Sequence, residues 1–143
     1  MAVTQISVFL ENKSGRLAEL TEVLAEASIN IRALSVAETV DYGVLRLIVD
    51  NPVLACEHLR QAGFTVTETQ VLALEIPDRP GGLAGAIRLL SNAGINVEYI
   101  YAFVGKAKDN ALVVLRLEEI ERAAKLLKEH GIEAVPAENI YRM

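Results

Sequence analysis

Tryptophan is missing from this 143-residue chain, and aromatic residues of all kinds make up only 5% of it. The hydrophobic share is nevertheless 52%, so the core must be built from Leu, Ile, Val and Ala. There is one cysteine, Cys56, which excludes an intramolecular disulfide and any zinc site made from several thiolates. Basic residues are in the minority. Fourteen Lys and Arg against nineteen Asp and Glu give a formal net charge of −5, which argues against a generic nucleic-acid binder with a basic face. No apolar run exceeds strand length, so no segment reads as a membrane span or a signal peptide. A soluble, cytoplasmic protein without nucleic-acid or membrane partners is the expectation.

What the chain does have is a repetition. Glu11-Asn12-Lys13-Ser14-Gly15-Arg16-Leu17-Ala18 and Ser28-Ile29-Asn30-Ile31 recur as Pro77-Asp78-Arg79-Pro80-Gly81-Gly82-Leu83-Ala84 and Gly94-Ile95-Asn96-Val97, 66 residues later in both cases (Gly15 to Gly81, Asn30 to Asn96). Ala62-Gly63-Phe64 and His130-Gly131-Ile132 lie 68 apart, which places a two-residue insertion in the loop Gly105-Lys106-Ala107-Lys108-Asp109-Asn110. A long repeat that occurs only twice is a duplicated small domain, not a solenoid. The expected domains are 1–71 and 72–143. Units of this size bury a limited core and lean on each other or on a second copy, so a homodimer is the economical solution.

Along the first copy, Thr4–Leu10 alternates as a strand, and Arg16–Ala27 carries Leu17, Leu20, Val23, Leu24 and Ala27 on one helical stripe. Ser28–Thr39 and Val44–Val49 read as strands joined by the turn Asp41-Tyr42-Gly43. A helix then starts at Pro52, capped by Asp50 or Asn51, and ends at Gly63. Thr65–Val71 is the fourth strand. The second copy repeats the order with Leu72–Ile76, Gly82–Ala93, Ile95–Val104, Ala111–Leu117, Glu119–His130 and Glu133–Pro136. The pattern βαββαβ is the ferredoxin-like split βαβ, an α+β fold with an antiparallel sheet and two helices on one face. No Gly-, Pro- or Ser-rich linker separates the copies, so they are tightly coupled.

The turn between first strand and first helix is where a ligand would meet the backbone. Gly15 and the pair Gly81-Gly82 permit positive φ and close approach, and the helix that follows offers amide N–H groups without internal partners. Those donors and the positive end of the helix dipole suit a carboxylate. Asn12 and Asp78 precede the turn, and Asp78 can accept from an ammonium group. Asn30 and Asn96, at the start of the second strand, can donate and accept together. A small zwitterion needs that mixture. Glycine and asparagine also serve ordinary turns and caps, and it is their pairing in both copies that singles them out.

Other candidates carry less. Gly81-Gly82-Leu83-Ala84-Gly85 lacks the Lys-Ser/Thr of a phosphate loop and the spacing of a dinucleotide loop. His58 lies mid-helix on a solvated face, and His130 at a helix end, where it interacts with the helix C-terminus. Cys56 reads as a small buried hydrophobe without a His to activate it. Tyr42, Tyr99 and Tyr101 suit half-buried sheet positions. Glu118, Glu119 and Glu121 form an acidic helix start. No nucleophile–base pair, metal set or cofactor motif emerges, so no catalytic residue, metal or cofactor is expected.

With those residues assembled, the chain resembles a tandem ACT-domain protein over essentially its whole length. Asp78-Arg79-Pro80-Gly81-Gly82-Leu83 is similar to that family's acidic-basic-Pro-Gly turn followed by Leu, and Gly94-Ile95-Asn96-Val97 to its Gly-Ile-Asn-Ile strand start. Copy one departs, with Asn12 for the acid, Ser14 for the proline and Ser28 for the helix-ending glycine. The resemblance implies a stand-alone regulatory module that binds free amino acids and serves an amino-acid-pathway enzyme or regulator, with two units joined into an eight-stranded sheet. It implies ligands at the seam between units. One site would combine Asn12, Ser14, Gly15, Arg16 and Leu17 with Asn96 and Val97. The other would combine Asp78, Arg79, Pro80, Gly81, Gly82 and Leu83 with Asn30 and Ile31, and Asp78 makes it the stronger of the two. The competing reading is an interaction module that dimerises through its sheets and keeps degenerate sites. An RNA-binding sheet, suggested by Tyr99, Tyr101 and Phe103, is opposed by the acidic charge.

Overall fold

The computed structural model describes residues 2–11, 13–38, 42–105 and 109–143. Asn12, Asp41 and Lys106-Ala107-Lys108 of the insertion loop lie outside the described residues. The chain forms two compact units: an N-terminal unit of Thr4–Thr69 with Tyr141–Met143, and a C-terminal unit of Ala2 and Val3 with Gln70–Ile140.

The N-terminal unit begins with β1 (Val3–Glu11), whose period-two pattern buries Ile6, Val8 and Leu10 and leaves Phe9 exposed. Helix α1 (Arg16–Glu26) buries Leu20 and Leu24. Strand β2 (Ile31–Glu38) pairs antiparallel with β3 (Tyr42–Val49), with an irregularity between Ile31 and Ala33, and β3 pairs antiparallel with β1 in the register Ile6–Leu47 and Val8–Leu45. Helix α2 (Pro52–Gln61) has proline in its first turn, where no amide partner is lost, and Asn51 Oδ1 accepts from the Leu54 N–H at 3.1 Å. Asn51 is thus the cap. Asp50 instead accepts from the Asn30 N–H at 3.0 Å. Strand β4 (Thr65–Pro77) completes the order β2-β3-β1-β4. The helices cover one sheet face, where Ile6, Val8, Leu20, Leu24, Leu45, Leu47 and Leu59 form the core. Burying one such aliphatic side chain stabilises by about 2 kcal/mol.

The C-terminal unit uses the second half of β4, then α3 (Gly82–Asn92), β5 (Tyr99–Ala102), β6 (Asn110–Arg116), α4 (Ile120–Glu129) and a short α5 (Ala137–Tyr141), in the strand order β4-β6-β5. Its core gathers Leu72, Leu74, Leu90, Leu115, Leu117 and Leu127. The α+β class and the ferredoxin-like order are therefore as expected, but the strands are fewer. Thr65–Val71 and Leu72–Ile76 are one continuous strand, because no residue there breaks the pattern. The expected strand Ile95–Val104 shrinks to four residues, flanked by single bonds to β6 from the Glu98 N–H to Arg116 O at 2.8 Å and from the Phe103 N–H to Leu112 O at 3.0 Å. Glu133–Pro136 is reduced to a bridge, Leu74 with Ala134, and one bond from the Val135 N–H to Ala73 O. Pro136 has no N–H to continue the ladder, and its carbonyl accepts from Asn139 and Ile140 as α5 begins.

All four long helices end the same way. The second residue beyond the cap donates its N–H back five residues to Leu24, Leu59, Leu90 or Leu127, the Schellman arrangement, and the residue between is left-handed. It is Gly63, Gly94 or Gly131 at three ends and Ser28, at φ 58°, at the fourth.

Candidate functional site

The two strand-to-helix turns share a backbone path. Lys13 N–H bonds Glu11 O at 2.9 Å, and Arg79 N–H bonds Pro77 O at 3.0 Å. Gly15 and Gly81 then adopt φ 91° and 87° and stand as helix N-caps without any capping side chain. Both helices thus begin with N–H donors that no side chain of the cap satisfies.

One position later the turns diverge. A Cβ on Gly82 would lie 2.1 Å from Pro77 O, so glycine is required there by close backbone approach rather than by φ. The Gly82 N–H closes on Arg79 O at 3.0 Å. Arg16 occupies the matching place in the N-terminal turn, and its N–H stands 3.5 Å from Lys13 O. Its guanidinium lies 4.5 Å from the Phe64 ring centroid, and Nη1 bonds Glu19 Oε2 at 2.6 Å. Its Nε is buried with no hydrogen-bond partner among the described residues. Stacking on Phe64 and pairing with Glu19 hold this cation across the turn.

The remaining predicted residues separate by exposure. Ser14, Asp78, Arg79 and Pro80 are exposed, as are Leu17 and Leu83 despite their apolar chains. The Asp78 N–H bonds Asp109 O at 3.1 Å, which ties the second turn to the start of β6. Asn30 is exposed, and its backbone exchanges bonds with Asp50 in both directions, at 3.0 and 3.1 Å. Ile31 and Val97 are half-buried against their cores. Asn96 is exposed beside a cavity of about 320 Å³ that it shares with Gly94, Glu98, Glu118 and Glu119. Arg116 pairs with Glu98 at 3.6 Å, and Arg122 pairs with Glu119 at 3.2 Å while donating to Ala93 O at 2.7 Å. The sequence signalled Glu118 and Glu119 only as a helix start and gave no sign of Glu98. Their convergence on Asn96 follows from the αL residue Gly94, which turns the chain back at the end of α3.

Elsewhere the chemistry is quiet. Cys56 is buried, and its thiol is pushed up to about 11, first by burial and then by its hydrogen bond to Glu68. His130 Nδ1 lies 3.0 Å from Leu126 O, at the helix end as the sequence implied. Phe9 and Tyr42 stack at 4.6 Å, and Tyr99 and Tyr101 at 6.5 Å. Among the described residues no group of three or more His, Cys, Asp or Glu could hold a metal ion, and no helix is long and apolar enough to cross a membrane.

Comparison with known proteins settles the lineage. The profile of the ACT domain pair matches residues 1–143. The chain belongs to the ACT domain pair family. A protein of Bacteroides thetaiotaomicron has a similar crystal structure, with a TM-score of 0.93 and 40% identity over all of this ACT pair and 98% of that chain. The ligand-free regulatory subunit of aspartate kinase from Thermus thermophilus shares the fold at a TM-score of 0.68 and 18% identity, over 88% of this chain and 91% of its own. Its counterpart from Thermus flavus does so at 0.62 and 16%, over 88% and 90%. A search of curated proteins finds no match for this ACT pair.

Proposed function

We propose that this ACT pair is a non-catalytic regulatory protein that binds a free amino acid, working in the cytoplasm as a homodimer. The observation that carries the reading is the glycine turn Asp78–Gly82. Its αL Gly81 and Cβ-intolerant Gly82 keep side chains away from the start of α3, whose first N–H groups no capping side chain satisfies and which suits a carboxylate, with an exposed acid beside it for an ammonium. The ligand sits where a turn of one ACT unit, taken as 1–71 and 72–143, meets the second-strand start of another. Asp78, Arg79, Pro80, Gly81, Gly82 and Leu83 with Asn30 and Ile31 make the principal site. Asn12, Ser14, Gly15, Arg16 and Leu17 with Asn96 and Val97 make the lesser one. Ligand favours one arrangement of the units through its differential affinity, and a partner reads that arrangement. An enzyme of amino-acid metabolism is the partner suggested by analogy of fold with the aspartate kinase regulatory subunits.

Thermal unfolding against each common amino acid tests this. A ligand at a hundredfold excess over Kd stabilises by about 2.7 kcal/mol, which moves the midpoint of a chain this size by several degrees. Asp78→Ala and Asn30→Ala should abolish most of that shift. If they leave it intact, the site is misassigned. No shift with any amino acid favours the second reading, a dimerising interaction module. That reading draws on the pinned Arg16 and on the exposed Phe9, Leu34 and Val36 of the N-terminal sheet.

A further inference from the structure

The second helix of each unit borders a groove, and the two grooves share positions on that helix. In the C-terminal unit a cavity of about 510 Å³ is lined by Ala2, Gln70, Ile120, Ala124, Lys125 and Lys128. In the N-terminal unit a cavity of about 470 Å³ is lined by Val53, Cys56, Glu57, Arg60 and Glu68, among others. Cys56, Glu57 and Arg60 correspond to Ala124, Lys125 and Lys128 through the 68-residue offset that relates Gly63 to Gly131. Both volumes fall in the range of small-molecule sites.

Their chemistry differs. Ile120, Ala124 and Lys128 follow one another at four-residue spacing, so one row of α4 is apolar at its first two places and ends in a cation. Lys125 stands in the adjoining row. Neither lysine's ammonium group has an ion-pair or hydrogen-bond partner among the described residues, whereas the guanidinium of Arg122 on the same helix is engaged by Glu119 and Ala93 O. Glu121 is the one acid on this lining, at the N-terminal turn of α4, where the helix dipole already stabilises it. In the N-terminal groove Glu57 replaces Lys125, and Glu68 adds a second acid. We propose that the groove along α4 binds a small amphipathic anion, its apolar body against Ala2, Ile120 and Ala124 and its acid group between Lys125 and Lys128. The net charge of −5 opposes an anion only at long range, since within a Debye length the two lysines dominate. The equivalent groove along α2, where Glu57 and Glu68 stand against the single cation Arg60, disfavours the same ligand. This site is distinct from the amino-acid site and stands whether or not that one does.

Octanoate is the probe, with 1-octanol as its uncharged counterpart, followed by amide chemical shifts of the nitrogen-15-labelled full chain. Saturable shifts are expected across residues 120–128 with octanoate, and none that saturate across 52–61. Lys125→Glu with Lys128→Glu should weaken octanoate about tenfold, as expected from reversing two near-surface charges, and change octanol less than about twofold. Lys125→Gln, a single charge removal at an exposed position, should weaken octanoate about threefold and guards against misfolding of the double variant. The proposal is overturned if octanoate gives no saturable shift, if both grooves respond alike, or if the lysine variants bind it as tightly as the parent.

Discussion

The two strand-to-helix turns are copies that have been put to different uses. Each places a left-handed glycine before a helix, at φ 91° and 87°, and each closes the preceding residues with the same backbone bond. At the next position the C-terminal turn has Gly82, with the carbonyl of Pro77 where a side chain would begin, and the N-terminal turn has Arg16. Without a side chain, Gly82 leaves its backbone bare. Arg16 adds a guanidinium that Phe64 and Glu19 hold in place. Duplication has thus preserved a backbone conformation while changing what it offers to solvent.

The sharpest way to break that comparison is to exchange the two positions' tolerance. Gly82→Ala drives a methyl group into backbone at 2.1 Å, so the turn must open, and the expected loss is about 3 kcal/mol. Arg16→Ala at the matching position removes a partly exposed cation–π contact and an ion pair, and should cost about 1 kcal/mol. Urea denaturation of the two variants decides it. Equal losses would mean that the turns are energetically interchangeable.

A second difference separates the second helices. Cys56 and Ala124 are matched and both are buried, but only the thiol titrates. Burial and Glu68 raise it from 9.0 to about 11, so the folded state favours the protonated form. Its stabilising effect is complete below about pH 9 and is lost as pH rises towards 11, on the order of 2 kcal/mol by the usual conversion. Comparing the alkaline stability of the parent with that of Cys56→Ala isolates it. A parallel decline in both would show that the thiol contributes nothing.

How much of this was legible in the sequence depended on the range of the interaction. Helix starts and stops are local, so Pro52, Gly63, Gly94 and Gly131 could be read directly. The repeat then supplied the order of elements and the turn glycines. What could not be read were outcomes decided by competition between segments. Asp50 and Asn51 were both plausible caps, and the backbone of Asn30 claimed Asp50. Val135 does reach Ala73, but Pro136 stops the strand that Glu133 and Ala134 would have extended. Nothing local announced that Arg16 would lie on Phe64, 48 positions away in the chain, or that Glu98 and Glu118 would share a cavity with Asn96.

The smallest expected effect concerns the one helix end that departs from its three siblings. Ser28 occupies a left-handed conformation at φ 58° that glycine fills after α2, α3 and α4. For a residue with a Cβ this conformation costs roughly 1–2 kcal/mol, and the Schellman bonds from Ser28 to Ala25 and from Ile29 to Leu24 hold it in place. Replacing serine by glycine removes the steric cost but gives the unfolded chain more freedom, which offsets part of the gain. Ser28→Gly should therefore stabilise the protein by about 0.5–1 kcal/mol, read as a higher urea midpoint at unchanged slope. Gly94→Ser at the equivalent end of α3 should destabilise by a similar amount. If the two changes have the same sign, the helix ends are not equivalent, and Ser28 owes its place to a contact outside the cap.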